Sequence, residues 1–203
     1  MKWTAMILTG GSSSRFGSDK SLAMLGESSL IEQLLSTLPL EIDVVIIGPP
    51  LQHTSRAVQY VREDLPGAGP VAAIHAGLPQ ISTEFVAIIA TDMPFAALIL
   101  DELIKNFPNT HDATIPLDAQ GERQTLCAIY RVESLRNAIA DLGSPINQSM
   151  RTLTRYLSTK ELHLEPSLER ILLDVDTPSD LERAIILSRE IQSRKSGNHG
   201  QVD

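Results

Sequence analysis

Runs of mainly apolar residues, each of strand length, alternate along this chain with segments of helical periodicity. Trp3–Leu8, Val44–Ile47 and Phe85–Ala90 are such runs. Between the first two, apolar residues recur from Leu30 to Leu38 at the spacing of one helix face. Strands that are apolar on both faces are typical of a parallel sheet covered by helices on either side. The pattern predicts a single Rossmann-like α/β domain of three layers with a mostly parallel sheet.

The rest of the chain continues this alternation. Further strands are predicted at residues 58–61, 113–117, 126–130 and 171–175, and helices at residues 71–78, 97–107, 132–142, 148–157 and from Pro178 onward. The strands at 113–117 and 126–130 flank a turn, so they predict a hairpin that adds an antiparallel element. Ser28 is the predicted N-cap of the first helix, which Pro39 ends. The domain is predicted to span residues 1–190, with a disordered tail over residues 191–203.

The charge balance and the cysteine count exclude several classes of protein. The 203 residues include 17 basic and 25 acidic side chains, which gives a formal net charge of −8. This balance argues against a broad surface for nucleic acid or acidic membranes. Cys127 is the one cysteine, so no internal disulfide is possible, and its apolar strand predicts a core residue rather than a nucleophile. We expect a cytoplasmic protein that binds neither nucleic acid nor membranes.

A glycine-rich segment directly follows the first predicted strand. Ligands of such sheets gather beyond the carboxyl ends of the strands, and the segment begins at that point, after Leu8. Gly10 and Gly11 allow backbone amides to approach phosphate oxygens, while Arg15 and Lys20 supply positive charge. The segment has neither the P-loop pattern nor the dinucleotide fingerprint. A flexible loop with two solvated cations fits the same residues equally well.

Acidic residues follow three other predicted strands. Asp92 ends the most apolar strand, where its carboxylate is suited to bind Mg²⁺, although a helix N-cap is an alternative. Asp64 lies in a loop rich in glycine and proline, which is either a surface turn or a site that binds a nucleotide base or ribose. Asp174 and Asp176 alternate along the last predicted strand, so both should point to one face. Asp176 or the neighbouring Thr177 is alternatively a plain cap of the closing helix.

These segments resemble, in the same order, the motifs of the molybdenum cofactor guanylyltransferases. The glycine-rich segment is similar to the family pattern L-A-G-G-x-x-x-R-M-G-x-D-K, and Asp92 falls on the aspartate of C-D-x-P. The loop with Asp64 is similar to E-D followed by G-P-L-A-G, and Asp174 and Asp176 fall on D-x-D-T-P. A fifth block, residues 121–131, is similar to the substrate-side strand of the family. The departures from the family patterns are Thr9, Phe16, Ala73 and Thr125.

The resemblance implies a fold like that of the nucleotide-diphospho-sugar transferases, and it also implies roles for individual residues. The catalytic residues would be Arg15, Lys20 and Asp92, with Asp92 as the ligand of the Mg²⁺ cofactor. The nucleotide would contact Leu8, Thr9, Gly10, Gly11, Lys20, Asp64, Gly69 and Asp92. The acceptor would contact Arg123, Gln124, Asp174 and Asp176. For Asp174 and Asp176 the alternative is that they help to hold a second metal ion, and for Arg123 and Gln124 a hairpin residue and a solvated cation fit equally well.

The reaction implied is transfer of GMP from GTP to the terminal phosphate of molybdenum-molybdopterin, with release of pyrophosphate. A handover partner for the pterin is a further implication. A molybdopterin cytidylyltransferase, or a nucleotidyltransferase acting on another phosphorylated small molecule, is an alternative that keeps the chemistry. A nucleotide-binding partner protein without catalysis is an alternative of another class. Lys20 and Asp92 argue against it, because binding alone would not require both.

Overall fold

The computed structural model describes residues 1–9 and 23–197, with side chains up to residue 193. Within these residues the chain forms nine strands: β1 (Trp3–Leu8), β2 (Met24–Leu25), β3 (Ser28–Ser29), β4 (Val44–Ile47), β5 (Gln59–Val61), β6 (Phe85–Ala90), β7 (Ala113–Leu117), β8 (Cys127–Arg131) and β9 (Thr159–His163). The α-helices of the same residues are α1 (Leu30–Thr37), α2 (Pro70–Gly77), α3 (Leu100–Lys105), α4 (Val132–Leu142), α5 (Met150–Leu153), α6 (Pro166–Glu169) and α7 (Pro178–Gly197).

Seven of these strands form one sheet in the order β5-β4-β1-β6-β8-β7-β9, and β2 and β3 form a separate small hairpin. Strand β8 runs antiparallel to both of its neighbours, β6 and β7, whereas the other pairings in the sheet are parallel. All parallel strands of this sheet therefore end at the same edge, which we call the C-terminal edge. The turn between β7 and β8 lies at this edge too, because β8 begins where β6 and β7 end.

The hydrophobic core lies on both faces of the sheet. Side chains alternate along β1, so Ala5 and Ile7 pack in one cluster with helices α1 and α3, while Met6 and Leu8 pack in the other with α2 and α4. Every residue of β1, β4 and β6 is buried, as expected for central strands covered by helices on both sides. The arrangement is the predicted three-layer α/β fold with a mostly parallel sheet and an antiparallel hairpin.

The prediction of a last strand at residues 171–175 is wrong. A 3₁₀ turn occupies Arg170–Leu172, and residues 173–177 have no regular structure. The outermost strand beside β7 is β9, whose residues are mostly exposed. An edge strand that faces solvent lacks the apolar run by which the central strands are detected. Ile171, Leu172 and Val175 are buried and give residues 171–175 a mainly apolar run, although they form no strand.

Two smaller details also differ from the predictions. The N-cap of α1 is Ser29 rather than Ser28, and its hydroxyl accepts a hydrogen bond from the amide of Glu32 at 3.3 Å. The domain boundary predicted at residue 190 falls inside α7, which continues to Gly197. Among the described residues no helix combines the length and the apolar character needed to cross a membrane.

Candidate functional site

The ends of β6, β1 and β4 lie side by side at the C-terminal edge. Leu8 is in register with Ile47 on one side and with Ala90 on the other. Beyond these residues, the amide of Thr91 donates to the Leu8 carbonyl at 3.2 Å, and the amide of Thr9 donates to the Ile47 carbonyl at 3.0 Å. The segment that begins at Gly10 and the carboxylate of Asp92 therefore follow neighbouring strand ends.

Three carboxylates gather beyond this edge. Asp92, Asp174 and Asp176 each offer one carboxylate oxygen, and these atoms all lie within 4.8 Å of one another. Asp92 is partly buried, whereas Asp174 and Asp176 are exposed. Like charges at such distances repel one another unless a cation lies between them. The arrangement has the chemistry of a site for a hard divalent cation, because such cations prefer oxygen ligands.

One main-chain hydrogen bond joins the two segments that carry these carboxylates. The amide of Val175 donates to the carbonyl oxygen of Asp92 at 2.9 Å. Val175 itself is fully buried, so the two aspartates beside it are held at the surface above the core. The prediction that Asp174 and Asp176 share a face rested on a strand that is not present, but the buried Val175 between them brings both carboxylates to Asp92.

Of the two residues predicted as alternative caps of α7, Asp176 and Thr177, the structure bears out Thr177, whose hydroxyl accepts from the Asp180 amide at 3.2 Å. The Asp180 carboxylate in turn accepts from the Thr177 amide at 3.0 Å, so the pair forms a reciprocal capping box. The turn after β6 leads into a 3₁₀ helix whose N-cap position is held by Phe95 rather than Asp92.

The loop after β5 contains the predicted nucleotide residues Asp64 and Gly69. Asp64 is exposed, while partial burial raises the pKa of the neighbouring Glu63 above its ordinary value of 4.5, against a smaller lowering by a backbone hydrogen bond to Gly67. Gly69 has a φ of 93° and occupies the N-cap position of α2. A left-handed φ favours glycine, so Gly69 is required by the backbone at the start of this helix.

Ala73, which departs from the family pattern G-P-L-A-G, lies in a regular helix. Ala73 lies inside α2, its side chain is buried, and its amide donates to the Gly69 carbonyl at 3.2 Å. Asn147 is the one residue other than glycine with a positive φ in the described parts of the chain. Ala73 therefore has an ordinary helical backbone, at which alanine is favourable.

Asn147 is a residue of this region that sequence reasoning missed. It adopts a φ of 57°, and its amide donates to the Ala68 carbonyl at 2.6 Å. A methyl group added at Gly69 would lie 3.4 Å from the Gln148 carbonyl oxygen, so the segment with Asn147 packs against the loop that carries Asp64 and Gly69. Asparagine tolerates the left-handed region better than most residues, but this preference alone does not indicate a contact so distant in the sequence.

Arg123 and Gln124 lie in the turn between β7 and β8, at the same C-terminal edge. The Arg123 guanidinium donates from Nη2 to the Thr159 hydroxyl at 2.7 Å, and its Nε lies 3.4 Å from a carboxylate oxygen of Glu161. The Gln124 amide donates from Nε2 to Asp118 Oδ2 at 2.7 Å. Both side chains are therefore held by neighbours within the hairpin and β9, and Asp118 is a second residue that sequence reasoning missed.

Cys127 lies at the start of β8 and is fully buried. Burial raises the pKa of its thiol from 9.0 to about 12. A thiol of this kind stays protonated at neutral pH and is a poor nucleophile. The prediction that Cys127 is a core residue is confirmed.

The remaining predicted site residues lie outside the described part of the chain. They are Gly10, Gly11, Arg15 and Lys20, together with the departure at Phe16. Leu8 and Thr9, which precede them, are described and lie at the end of β1, buried at the C-terminal edge.

The fold and the site together define the class of protein. A parallel α/β sheet with carboxylates gathered beyond its C-terminal edge is the arrangement of a nucleotide-binding enzyme domain. The family model described as "MobA-like NTP transferase domain" matches residues 5–163, so the chain belongs to this family of nucleotidyltransferases. The class of enzyme predicted from the sequence is therefore confirmed, as is the resemblance to the molybdenum cofactor guanylyltransferases.

Two proteins that are similar in sequence to this chain have the same name. A protein of Carboxydothermus hydrogenoformans named "Probable molybdenum cofactor guanylyltransferase" is 27% identical over 187 residues, which cover 90% of this chain and 94% of the relative. A protein of Bacillus cereus with the same name is 32% identical over 141 residues, which cover 64% of this chain and 68% of the relative.

Solved structures agree on the fold. Molybdopterin-guanine dinucleotide biosynthesis protein A from Archaeoglobus fulgidus superimposes with a TM-score of 0.66 at 23% identity, over 92% of this chain and 99% of that one. The 2-C-methyl-D-erythritol 4-phosphate cytidylyltransferase from Thermus thermophilus gives a TM-score of 0.66 at 17% identity, over 93% of this chain and 100% of that one. The prediction of a mostly parallel nucleotidyltransferase fold is confirmed.

Proposed function

We propose that this protein transfers GMP from GTP to the terminal phosphate of molybdenum-molybdopterin, releasing pyrophosphate and forming molybdopterin guanine dinucleotide. The observation that carries the proposal is the group of three carboxylates, Asp92, Asp174 and Asp176, within 4.8 Å of one another beyond the C-terminal edge. The names of the relatives supply the choice of GTP and of the pterin.

The carboxylate group fits Mg²⁺ by its donor atoms and by their spacing. Mg²⁺ takes oxygen ligands, and one carboxylate oxygen of each aspartate lies within 4.8 Å of those of the other two. Asp92, Asp174 and Asp176 would hold the ion. When bound, it would supply positive charge that offsets the charge of the triphosphate.

The chemistry is a displacement at the α-phosphorus of GTP. A terminal phosphate oxygen of the pterin forms a bond to this phosphorus, the bond to the bridging oxygen of the β-phosphate breaks, and pyrophosphate leaves with the electron pair. The protein has little covalent work to do, so its contribution is to orient the two substrates and to balance charge. We assign to Arg15 and Lys20 the role of balancing the negative charge of the triphosphate.

The two substrates approach from different parts of the C-terminal edge. Asp64 and Gly69, after β5, are assigned to the nucleotide, and Arg123 and Gln124, on the hairpin of β7 and β8, are assigned to the acceptor. Strands β1 and β6, which lead to the glycine-rich segment and to Asp92, lie between them in the sheet. This order supports an acceptor phosphate that meets the α-phosphate close to Asp92.

The test is an incubation of the purified protein with Mg²⁺, molybdopterin and GTP, CTP or ATP in turn, with any dinucleotide identified by mass spectrometry. A product that contains GMP and needs Mg²⁺ is expected. A product formed from CTP instead would overturn the choice of base and favour a cytidylyltransferase. GTP binding without a product from any nucleotide would overturn catalysis and favour a binding protein.

A matched pair of variants tests the role of the carboxylates. Asp92→Asn removes one negative charge at the site and is expected to lower kcat at least about 100-fold, in the range of lost charge stabilisation at a transition state. Asp101→Asn makes the same change on the exposed first turn of α3 and should leave turnover unchanged. Full turnover by Asp92→Asn would contradict the metal assignment.

A further inference from the structure

Two buried threonines follow the ends of β1 and β6. Thr9 and Thr91 are each only 8% exposed. The Thr9 hydroxyl donates to the Ile47 carbonyl at 2.9 Å, the same oxygen that accepts from the Thr9 amide. The Thr91 hydroxyl donates to the Leu8 carbonyl at 3.2 Å, which also accepts from the Thr91 amide. Each threonine therefore makes two hydrogen bonds to one carbonyl of the adjacent strand.

The two sets of hydrogen bonds meet at a single peptide group. The carbonyl of Leu8 and the amide of Thr9 belong to the same peptide bond, which is planar and rigid. Its oxygen accepts from Thr91, and its N–H donates to Ile47. Hydrogen bonds in series through one peptide group polarise each other and strengthen one another. The orientation of this peptide is thus set from β6 on one side and from β4 on the other.

Gly48, which follows β4, leaves room for the hydroxyl of Thr9. A methyl group added at Gly48 would lie 1.9 Å from the Thr9 hydroxyl oxygen, which is far inside contact distance. The Gly48 amide donates to the Val61 carbonyl at 2.9 Å, so the hydrogen bonds continue from β4 to β5. Thr9 and Gly48 are therefore complementary, since the threonine hydroxyl fills the space that any other residue at position 48 would occupy.

We propose that Thr9 and Thr91 are positioning residues for the transferase reaction. Thr9 immediately precedes the glycine-rich segment, and Thr91 immediately precedes Asp92, so their hydroxyls anchor the residues from which the chain continues to these two predicted nucleotide-binding elements. The inference rests on the proposed function.

A positioning role differs from a purely structural role in what its loss changes. In Thr9→Val or Thr91→Val the Ile47 or Leu8 carbonyl keeps the hydrogen bond from the backbone amide, so no buried acceptor is left unsatisfied. The sheet should therefore remain folded. What is lost is the second hydrogen bond, and with it the orientation of the residue that follows.

The experiment compares Thr9→Val, Thr91→Val and the double variant in steady-state kinetics and in GTP titration. Thr9→Val should raise KM and Kd for GTP about 3- to 10-fold, the range of one lost net hydrogen bond. Thr91→Val should lower kcat by a similar factor, because it displaces Asp92, with a smaller change in KM for GTP. The double variant should show an effect that differs from the product of the single effects, because both threonines act on one peptide.

Two controls separate this inference from a loss of stability. Thr9→Ser and Thr91→Ser keep the hydroxyl and should restore the kinetic constants. Thr114→Val makes the same substitution at a fully buried threonine of β7 whose hydroxyl has no hydrogen-bond partner among the described residues, and it should leave KM, kcat and Kd unchanged. Valine variants that lower only the melting temperature, with KM, kcat and Kd unchanged, would overturn the positioning role.

The outcomes also distinguish the inference from the function on which it rests. A wild-type protein that forms no dinucleotide but binds GTP would overturn the proposed function, and the Kd ratio of Thr9→Val to wild type would still decide the role of Thr9. A wild-type protein that neither binds nor uses any nucleotide would overturn both. An active wild type with unaffected valine variants would overturn the inference alone.

Discussion

The carbonyl oxygen of Asp92 accepts a hydrogen bond from the amide of Val175 at 2.9 Å. These two residues are far apart in the sequence, and this contact brings the end of β6 beside the segment that precedes α7. Because Val175 is buried and its neighbours Asp174 and Asp176 are exposed, the contact also sets where two further carboxylates lie. The group of three acids thus depends on a backbone hydrogen bond as well as on its side chains.

The first prediction concerns the contribution of Asp174 and Asp176 to metal binding. Asp174→Asn and Asp176→Asn each remove one charge from the carboxylate group but keep the shape of the side chain. Each should raise the Mg²⁺ concentration for half-maximal activity about 10-fold or more, the range for loss of a group that supports a metal site. The measurement is a Mg²⁺ titration of turnover at saturating GTP.

Glu182→Gln provides the control for this prediction. It removes a carboxylate from an exposed position of α7 in the same part of the chain. Its Mg²⁺ dependence should match that of the wild type. If the two asparagine variants also matched the wild type while their affinity for the pterin fell, Asp174 and Asp176 would bind the acceptor rather than the ion.

The central part of the fold and the position of Asp92 are predictable from the sequence because burial leaves a strong local signal. Strands β1, β4 and β6 are buried on both faces, so their apolar runs stand out. Asp92 follows the end of one of these runs by two residues, which places its carboxylate at the sheet edge. Both conclusions follow from local sequence and from the rule that ligands gather at the ends of parallel strands.

The parts that were mispredicted or missed depend on contacts between distant residues. Strand β9 pairs with β7 through its backbone and exposes most of its side chains, so periodicity does not reveal it. Ile171, Leu172 and Val175 are apolar because they pack in the core, although this segment forms no strand. The contact of Asn147 with Ala68 has no sequence signal, because it depends on how two loops fold against each other.

The second prediction is that Gly48→Ala destabilises the fold. The added methyl group would overlap the Thr9 hydroxyl at 1.9 Å, and φ at this position is 147°, a value that side chains disfavour. Overpacking and backbone strain together should lower the free energy of unfolding by about 2–4 kcal/mol. Chemical denaturation provides the measurement.

The control for this prediction measures the cost in stability of the positive φ alone. Gly143→Ala introduces the same methyl group at a φ of 82°, where nothing lies within 4 Å. It should cost only about 1 kcal/mol. Equal losses in the two variants would show that the contact with Thr9 carries no energy of its own.

The third prediction concerns the stability of the protein at alkaline pH. Burial raises the pKa of the Cys127 thiol from 9.0 to about 12. Above pH 9.0 the unfolded chain loses this proton while the folded protein retains it, so the free energy of unfolding falls with rising pH, by about 1.4 kcal/mol per pH unit from this group. Cys127→Ala should show a shallower fall over the same range, measured by denaturation from pH 8 to about pH 11.

Cys127→Ala also tests whether the thiol takes part in the reaction. The alanine variant loses some core packing, so its free energy of unfolding should be lower at neutral pH. Its kcat should equal that of the wild type. A large loss of kcat in a folded variant would contradict the assignment of Cys127 to the core, and parallel pH profiles would contradict the effect of its burial.

The fourth prediction concerns the capping box at the start of α7. Hydrogen bonds from the hydroxyl and the amide of Thr177 hold the pKa of the Asp180 carboxyl below its ordinary value of 3.8. A lowered folded pKa means that the carboxylate stabilises the folded state above pH 3.8 and that this contribution is lost as pH falls through the folded pKa. Thr177→Ala removes the N-cap and should cost about 1 kcal/mol at neutral pH.

Asp180→Asn separates the charge from the cap, because an asparagine oxygen still accepts hydrogen bonds from Thr177. The variant should be less stable than the wild type at neutral pH, and the difference should shrink as the pH falls below 3.8, where the wild-type carboxylate takes up its proton. Denaturation curves from neutral pH into this range measure the difference. A gap between the two proteins that stays constant with pH would mean that the carboxylate charge contributes nothing to the start of α7.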